Sequence, residues 1–329
     1  MTSSELLISA RDANALASLS HVEVLEEVVS ELAKRDEDLT IVTAGLSDQW
    51  GLDQFGGLQP GAYVQCGQGE QNQVEVASAL ANESFTVLAP SRASLIVSRS
   101  FNQLYTNLGM MASPVILVGM NCGCDASILG RNHMALEDIA CMRQVPGLLV
   151  ASPSDNAEFA AILLELAEDP RPAYVRMNEA HGANLHPNGV GHIRGRAQLL
   201  LRPPAGGSEV SFVTCGTITS AVLEAARMLH AYGVQSEVLE MATINPLDYV
   251  PLDQLSARKL IVTVEEHGVT GGLGSAVAEH LARRGNHPAV LRMGVPPYLV
   301  ETDDPAHVLK KAGLDAHGIA NRVLSALDS

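Results

Sequence analysis

Aromatic residues are scarce in this chain. One Trp, five Phe and six Tyr make up 4% of 329 residues, so a site built on stacked rings has few candidates. Basic residues are also few: 21 Lys and Arg stand against 37 Asp and Glu, a formal net charge of −16. That balance argues against a nucleic-acid or anionic-membrane surface as the main partner. No apolar run approaches the roughly 20 residues that span a bilayer. The opening Met-Thr-Ser-Ser-Glu-Leu-Leu lacks a basic n-region and an apolar h-region, so it does not read as a signal peptide, and a cytoplasmic location is expected. Cysteines number five, at irregular spacing (Cys66, Cys122, Cys124, Cys141, Cys215), which reads as reduced thiols rather than a disulfide framework. Cys122-Gly123-Cys124 is a tempting metal fragment, but zinc takes about four ligands and no second pair exists. Buried small hydrophobes are the better reading, and no metal is assigned to this chain.

What is abundant is apolar: 47% of residues are hydrophobic against 18% charged, which excludes a disordered or fibrous chain. At roughly 100–200 residues per domain the length suggests two domains. Apolar runs of strand length alternate with stretches of helical period. Helical spacing is expected over 22–32, 71–82, 95–108, 135–142 and 157–167, and strands over 39–43, 63–66, 84–88, 114–118, 147–151 and 173–177. Such alternation predicts a parallel sheet with helices on both faces. Residues 181–207 carry Gly, Pro and Asn with no sustained period, a linker with room for one short strand. The alternation then restarts, with strands at 210–214, 236–239, 260–264 and 289–291 and helices at 220–232, 275–284 and the C-terminus. The expected fold class is α/β, with doubly wound domains over 1–185 and 205–329 and a linker over 186–204.

Ligands of open parallel sheets bind beyond the carboxyl ends of the strands. Three segments fall there. Gly67-Gln68-Gly69-Glu70 is a glycine turn that sets a carboxylate at a helix start; Glu70 either complements the helix dipole or is catalytic. The turn is not a dinucleotide fingerprint. Gly130-Arg131-Asn132-His133 is a loop leading into a helix, where His133 is a proton shuttle, a donor to a substrate oxygen, or a residue of a solvated turn. Val264-Glu265-Glu266-His267 precedes Gly271-Gly272-Leu273-Gly274-Ser275. Those glycines suggest either phosphate binding or close strand–helix packing, and His267 a pocket wall or a domain interface.

Together these segments resemble the C-terminal half of transketolases, the part with the pyrimidine-binding and C-terminal domains. The likeness runs from about residue 20 to the end. Gly67-x-Gly-Glu70-Gln-Asn resembles the family's Gly-Ile-x-Glu-x-x, and Gly130-x-Asn-His133-x-x-x-Glu-Asp resembles Asp-Gly-x-Thr-His-x-x-x-Glu-Asp. Arg143-Gln-Val-Pro-Gly147 with Ser152-Pro153-Ser154-Asp155 follows the usual Arg-x-Ile-Pro-Gly…Pro-x-Asp run, and the Glu-Glu-His with Gly-Gly-Leu-Gly-Ser is also typical. The resemblance implies thiamine diphosphate as cofactor, with a smaller, mixed-sheet C-terminal domain. It makes Glu70 the residue that hydrogen-bonds N1′ of the aminopyrimidine. Gly69, Ile96 and Arg99 are then expected against the cofactor, and His133, Asn132, Arg131 and His267 against substrate.

The family's Gly-Asp-Gly…Asn motif, which holds pyrophosphate through Mg²⁺, is absent. By the same resemblance a partner subunit supplies it, as an N-terminal transketolase-like chain in an α2β2 assembly. Departures bear on the substrate. Leu129 stands for the family's Asp and Asn132 for its Thr, and residues 87–98 offer no aromatic, leaving Leu95 or Ile96 to pack on the cofactor ring. Asn178-Glu179 replaces an arginine that grips a sugar phosphate, and a carboxylate repels one. The expected activity is transfer of a two-carbon ketol unit to an unusual, non-phosphorylated acceptor, by a transferase active only with its partner. Alternatives are the β subunit of a 2-oxo acid dehydrogenase or decarboxylase, and a non-catalytic scaffolding or regulatory paralogue.

Overall fold

The structure, a computed structural model, describes residues 6–45, 50, 52, 60–179, 183–191, 194–202, 207–285, 287–299 and 302–328. The apolar runs pair into two principal sheets. The larger has seven strands in the order Thr243–Asn245, Leu149–Ala151, Ala173–Met177, Ile116–Met120, Thr86–Arg92, Leu39–Thr43 and Tyr63–Gln65. All neighbours are parallel except Thr243–Asn245, which comes from the second half of the chain and runs antiparallel at the edge. The smaller has five: Ala289–Val295, Leu260–Gly268, Val210–Thr214, Ser236–Glu240 and the antiparallel edge strand Gln198–Leu201. That edge strand lies inside the segment read as linker; residues 192–193 and 203–204 of that segment lie outside the described residues.

Successive residues of the inner strands serve opposite faces, as the pleat requires. Ile41, Leu88 and Ile116 pack with the helices His21–Arg35 and Asn156–Glu168, whereas Val42, Val87 and Leu117 pack with Glu70–Asn82 and Ala93–Gln103. Being covered on both sides, these strands are buried throughout, hence their unbroken apolar sequence. Local signals set the helix starts. Ser20 and Glu23 form a capping box for His21–Arg35, and Asp155 accepts from Glu158 N ahead of Asn156–Glu168. The second core cluster continues across the domain boundary through Val213, Leu239, Ile261 and Val277. The two domains therefore share a core, and their relative placement is fixed by packing as well as by the shared sheet edge.

Three of the differences from the sequence expectation bear on the candidate site. The helix expected over 95–108 is Ala93–Gln103 followed by a π-helical turn, Leu104–Met110, with a kink at Ser100 (φ −116°, ψ 16°). Leu104 and Leu108 are buried on both accounts, so the apolar period does not register the change of pitch. The helix expected over 135–142 is only Asp138–Met142, because Ala135 is held in an isolated bridge to Gly123. The strand expected over 84–88 runs Thr86–Arg92 and includes Pro90. Leu39–Thr43 pairs only with residues 86–88, so no ladder bond on that side is needed from Pro90.

Candidate active site

Each of the first two predicted segments leaves the carboxyl end of a parallel strand. Gly67, with φ +64°, turns the chain after Tyr63–Gln65, and Glu70 opens the helix Glu70–Asn82. Glu70 is 4% exposed, and Arg99 Nη1 donates to both its oxygens at 3.0 and 3.1 Å. Arg99 comes from Ala93–Gln103 and stays more than half exposed. Gln71 Nε2 donates to the Arg99 carbonyl at 2.9 Å. Gln73, fully buried one turn on, donates to Val42 O at 2.9 Å and Pro90 O at 3.0 Å, which ties the helix start to two strands. Gly69 precedes the helix without a side-chain cap, and a Cβ there would meet Cys66 O at 3.2 Å.

His133 closes the short turn Arg131–His133, entered through Gly130 at φ +94°. Its Nδ1 lies 3.3 Å from Nη1 of Arg92, the last residue of Thr86–Arg92. Burial pulls the Arg92 guanidinium below the ordinary arginine value. A cavity of about 590 Å³ opens beside this turn. Arg131, Asn132 and Asp138 line one wall, and Ser94, Leu95 and Val97 another. Leu95 thus faces the cavity, whereas its neighbour Ile96 is fully buried in the core. Arg131 is ion-paired to Glu137.

His267 lies elsewhere. It is fully buried at the domain junction, with Nε2 accepting from Ala140 N at 3.4 Å and lying 3.9 Å from Asp138 Oδ1. The glycine turn behind it binds no external anion at its helix start, because Glu265 takes that place. Glu265 accepts from Leu273 N at 2.7 Å and Gly274 N at 2.8 Å. A Cβ on Gly272 would overlap that carboxylate, so the glycines serve close strand–helix packing.

Arg176 and Asp138 form the buried centre of this junction. Arg176 Nε donates to Asp138 Oδ2 at 2.7 Å, Tyr174 Oη donates to the same oxygen at 2.7 Å, and Arg176 Nη2 reaches Glu266 O at 3.1 Å. Burial pushes the Asp138 carboxyl up, but Arg176 and then His267 outweigh it and hold it below the ordinary value. A second cavity, about 430 Å³, is lined by Asp125, Glu179, Glu266 and Asp315 with Thr217 and Ser220. Glu266 accepts from Cys124 N at 2.7 Å, and a Cβ on Gly123 (φ +58°) would strike it. Burial and the Glu266 charge raise the Asp125 carboxyl well above its ordinary value. Glu179 pairs with His21 at 2.7 Å.

Sequence reasoning did not single out Arg92. A strand read as ending at residue 88 hides it, and the only available signal was a lone cation just before a helix of apolar period.

A family model for the transketolase pyrimidine-binding domain matches residues 17–183, and one for the transketolase C-terminal domain matches residues 201–319. The chain is 30% identical over 300 residues to a subunit of the apulose-4-phosphate transketolase of Phocaeicola vulgatus, covering 91% of this chain and 94% of that protein. It is 29% identical to a putative transketolase C-terminal section of Methanocaldococcus jannaschii, over 91% of this chain and 93% of that one. The 1-deoxy-D-xylulose-5-phosphate synthase of Chlorobium phaeovibrioides is also 29% identical, but this chain spans only 49% of its length. Among solved structures, a split-gene transketolase described as an inactive β4 tetramer superposes with a TM-score of 0.79 at 29% identity, covering 94% of this chain and 98% of that one. The Campylobacter jejuni transketolase shares the fold, with a TM-score of 0.75 at 15% identity over 93% of this chain and 46% of its own. The chain belongs to the transketolase family, as a transketolase-type transferase chain carrying the pyrimidine-binding and C-terminal domains in that order.

Proposed function

We propose that this chain is the C-terminal subunit of a two-component, thiamine-diphosphate-dependent transketolase that moves a two-carbon ketol unit. The observation that carries the reading is Glu70. It is a carboxylate 4% exposed, at a helix start beyond the carboxyl end of a parallel strand, without a pyrophosphate-holding Gly-Asp-Gly anywhere in the same chain. The residues present fit the pyrimidine half of the cofactor. Glu70 would hold the proton shared with N1′ once Arg99, more than half exposed, yields one carboxylate oxygen. Leu95 and Val97 offer an apolar wall for the ring in place of an aromatic. Bound there, thiamine diphosphate supplies an electron sink for a two-carbon fragment. The protein's share is orientation and exclusion of water. His133 would donate to a substrate oxygen on which negative charge develops, with Asn132 and Arg131 alongside. A partner chain would bring the pyrophosphate and its Mg²⁺. Two relatives of this chain's length, one named as a transketolase subunit and the other as a C-terminal section, support a split arrangement, with α2β2 as the proposed stoichiometry. Among the described residues no helix is long and apolar enough to cross a membrane, which accords with the cytoplasmic location proposed for the complex.

An unusual, non-phosphorylated acceptor is part of the same proposal. Glu179 stands where the family resemblance expects an arginine that grips a sugar phosphate, and a carboxylate at that position disfavours a phosphate. The test is the complex assembled with its partner and supplied with ketose donors or pyruvate, each against phosphorylated and neutral aldehydes. Ketol transfer from a ketose to a neutral aldehyde is the expected result. Turnover of pyruvate alone would point instead to the 2-oxo acid reading.

A further inference from the structure

We propose that Arg92 is a positioning residue that sets the tautomer of His133, so that Nε2 carries the ring hydrogen and is presented as a donor. The inference rests on the reading of His133 given above and deepens it. A guanidinium has five N–H donors and no acceptor, so the 3.3 Å contact between Arg92 Nη1 and His133 Nδ1 is a hydrogen bond only if Nδ1 offers its lone pair. A hydrogen on Nδ1 would point at the hydrogens of the guanidinium. Neutral imidazole has one hydrogen to place, and Nε2 is the remaining position.

Two further features separate Arg92 from an ordinary surface arginine. Its backbone is fixed by the scaffold: it ends a strand, pairs in register with Met120, and passes directly into the helix Ala93–Gln103. Its charge is also not spent on a carboxylate. Arg99, Arg131, Arg143 and Arg176 each have one within salt-bridge distance, whereas Arg92 has none among the described residues. A half-buried cation left with a histidine nitrogen as its partner orients that ring and adds positive potential where an oxyanion would form.

The experiment is long-range ¹H–¹⁵N spectroscopy of the histidine rings in the full chain, with His133 assigned by the signals lost in His133→Gln. It is recorded above the ordinary histidine value of about 6.5, so that the neutral rings are observed. Wild-type His133 should show a protonated Nε2 and an unprotonated Nδ1. Arg92→Ala should move both resonances toward a tautomer average, and Arg92→Lys, which keeps a donor, should move them back. In the reconstituted complex, Arg92→Ala should lower kcat about tenfold with little change in KM, the loss expected for one misoriented hydrogen bond, and Arg92→Lys should recover most of it. A protonated Nδ1 in the wild type, or a tautomer unchanged in Arg92→Ala, overturns the proposal. So does unaltered kcat in Arg92→Ala despite a shifted tautomer. Absence of ketol transfer by the wild-type complex would instead remove the functional reading, and the spectra would still decide the ring's arrangement. Far-UV circular dichroism of both variants guards against misfolding, and Arg92→Lys carries the test if Arg92→Ala unfolds.

Discussion

At the scale of single residues, the proposed chemistry rests on a few side chains beyond the strand ends. Glu70→Gln keeps the volume and one acceptor but cannot exchange a proton, so kcat of the assembled enzyme should fall by about 10²-fold or more, with the circular dichroism spectrum unchanged. Near-normal turnover would remove Glu70 from catalysis. Glu179 tests the acceptor. Glu179→Ala removes the carboxylate that stands where the resemblance expects an arginine, and KM for a phosphorylated aldehyde should drop several-fold while that for a neutral one changes by less than about twofold. An unaltered ratio of the two would contradict the charge argument.

Between elements, the domain junction depends on Arg176 and Asp138. Both are nearly inaccessible, and their pair joins the strand Ala173–Met177, the helix Asp138–Met142 and the carbonyl of Glu266. Asp138→Asn leaves a buried arginine without a counter-charge, which should cost about 3–5 kcal/mol in urea unfolding. A loss below about 1 kcal/mol would mean that water or another acceptor reaches Arg176. The same junction marks how far the sequence was legible. Two α/β sheets, most strands and the helix starts at Glu70 and Asn156 follow from apolar runs and turn residues, because burial on both faces writes itself into composition. The glycine turn after Glu265 was legible as packing for the same reason. The position of Ile96 was not, since an isoleucine near a motif can face a cavity or the core, and only the packing decides; of the two places read for His267, pocket wall or domain interface, the packing selects the second. Arg92 escaped notice because its partner is 41 residues away, and such a pairing leaves no local pattern.

Across the whole molecule, the two domains meet at a second ionisable cluster, which includes Asp155 of the Ser152-Pro153-Ser154-Asp155 run. Asp155 and Glu158 from the first domain, His186 from the connecting segment, and Gln198 and Glu240 from the second sheet converge there. Burial lowers His186, but the Asp155 hydrogen bond and the Glu158 charge more than offset it and raise the ring to about 8. Glu240 is fully buried, and burial followed by the neighbouring Glu158 raises its carboxyl well above the ordinary value. For both groups the folded state holds its proton more tightly than the unfolded one. Their contributions are therefore complete below the ordinary values of 4.5 for Glu240 and 6.5 for His186, and are lost as pH rises through the raised ones. Glu240→Gln needs no such proton, so its Tm relative to wild type should climb as pH goes from about 5 to about 8; a constant difference would refute the raised Glu240 carboxyl. The central claim, however, is that this chain is one half of an enzyme. The direct measurement is thiamine-diphosphate binding and ketose turnover by the purified chain, alone and mixed with an N-terminal transketolase-like chain that carries Gly-Asp-Gly. The account predicts weak binding and no turnover alone, and both restored on mixing; full turnover by the isolated chain would contradict it.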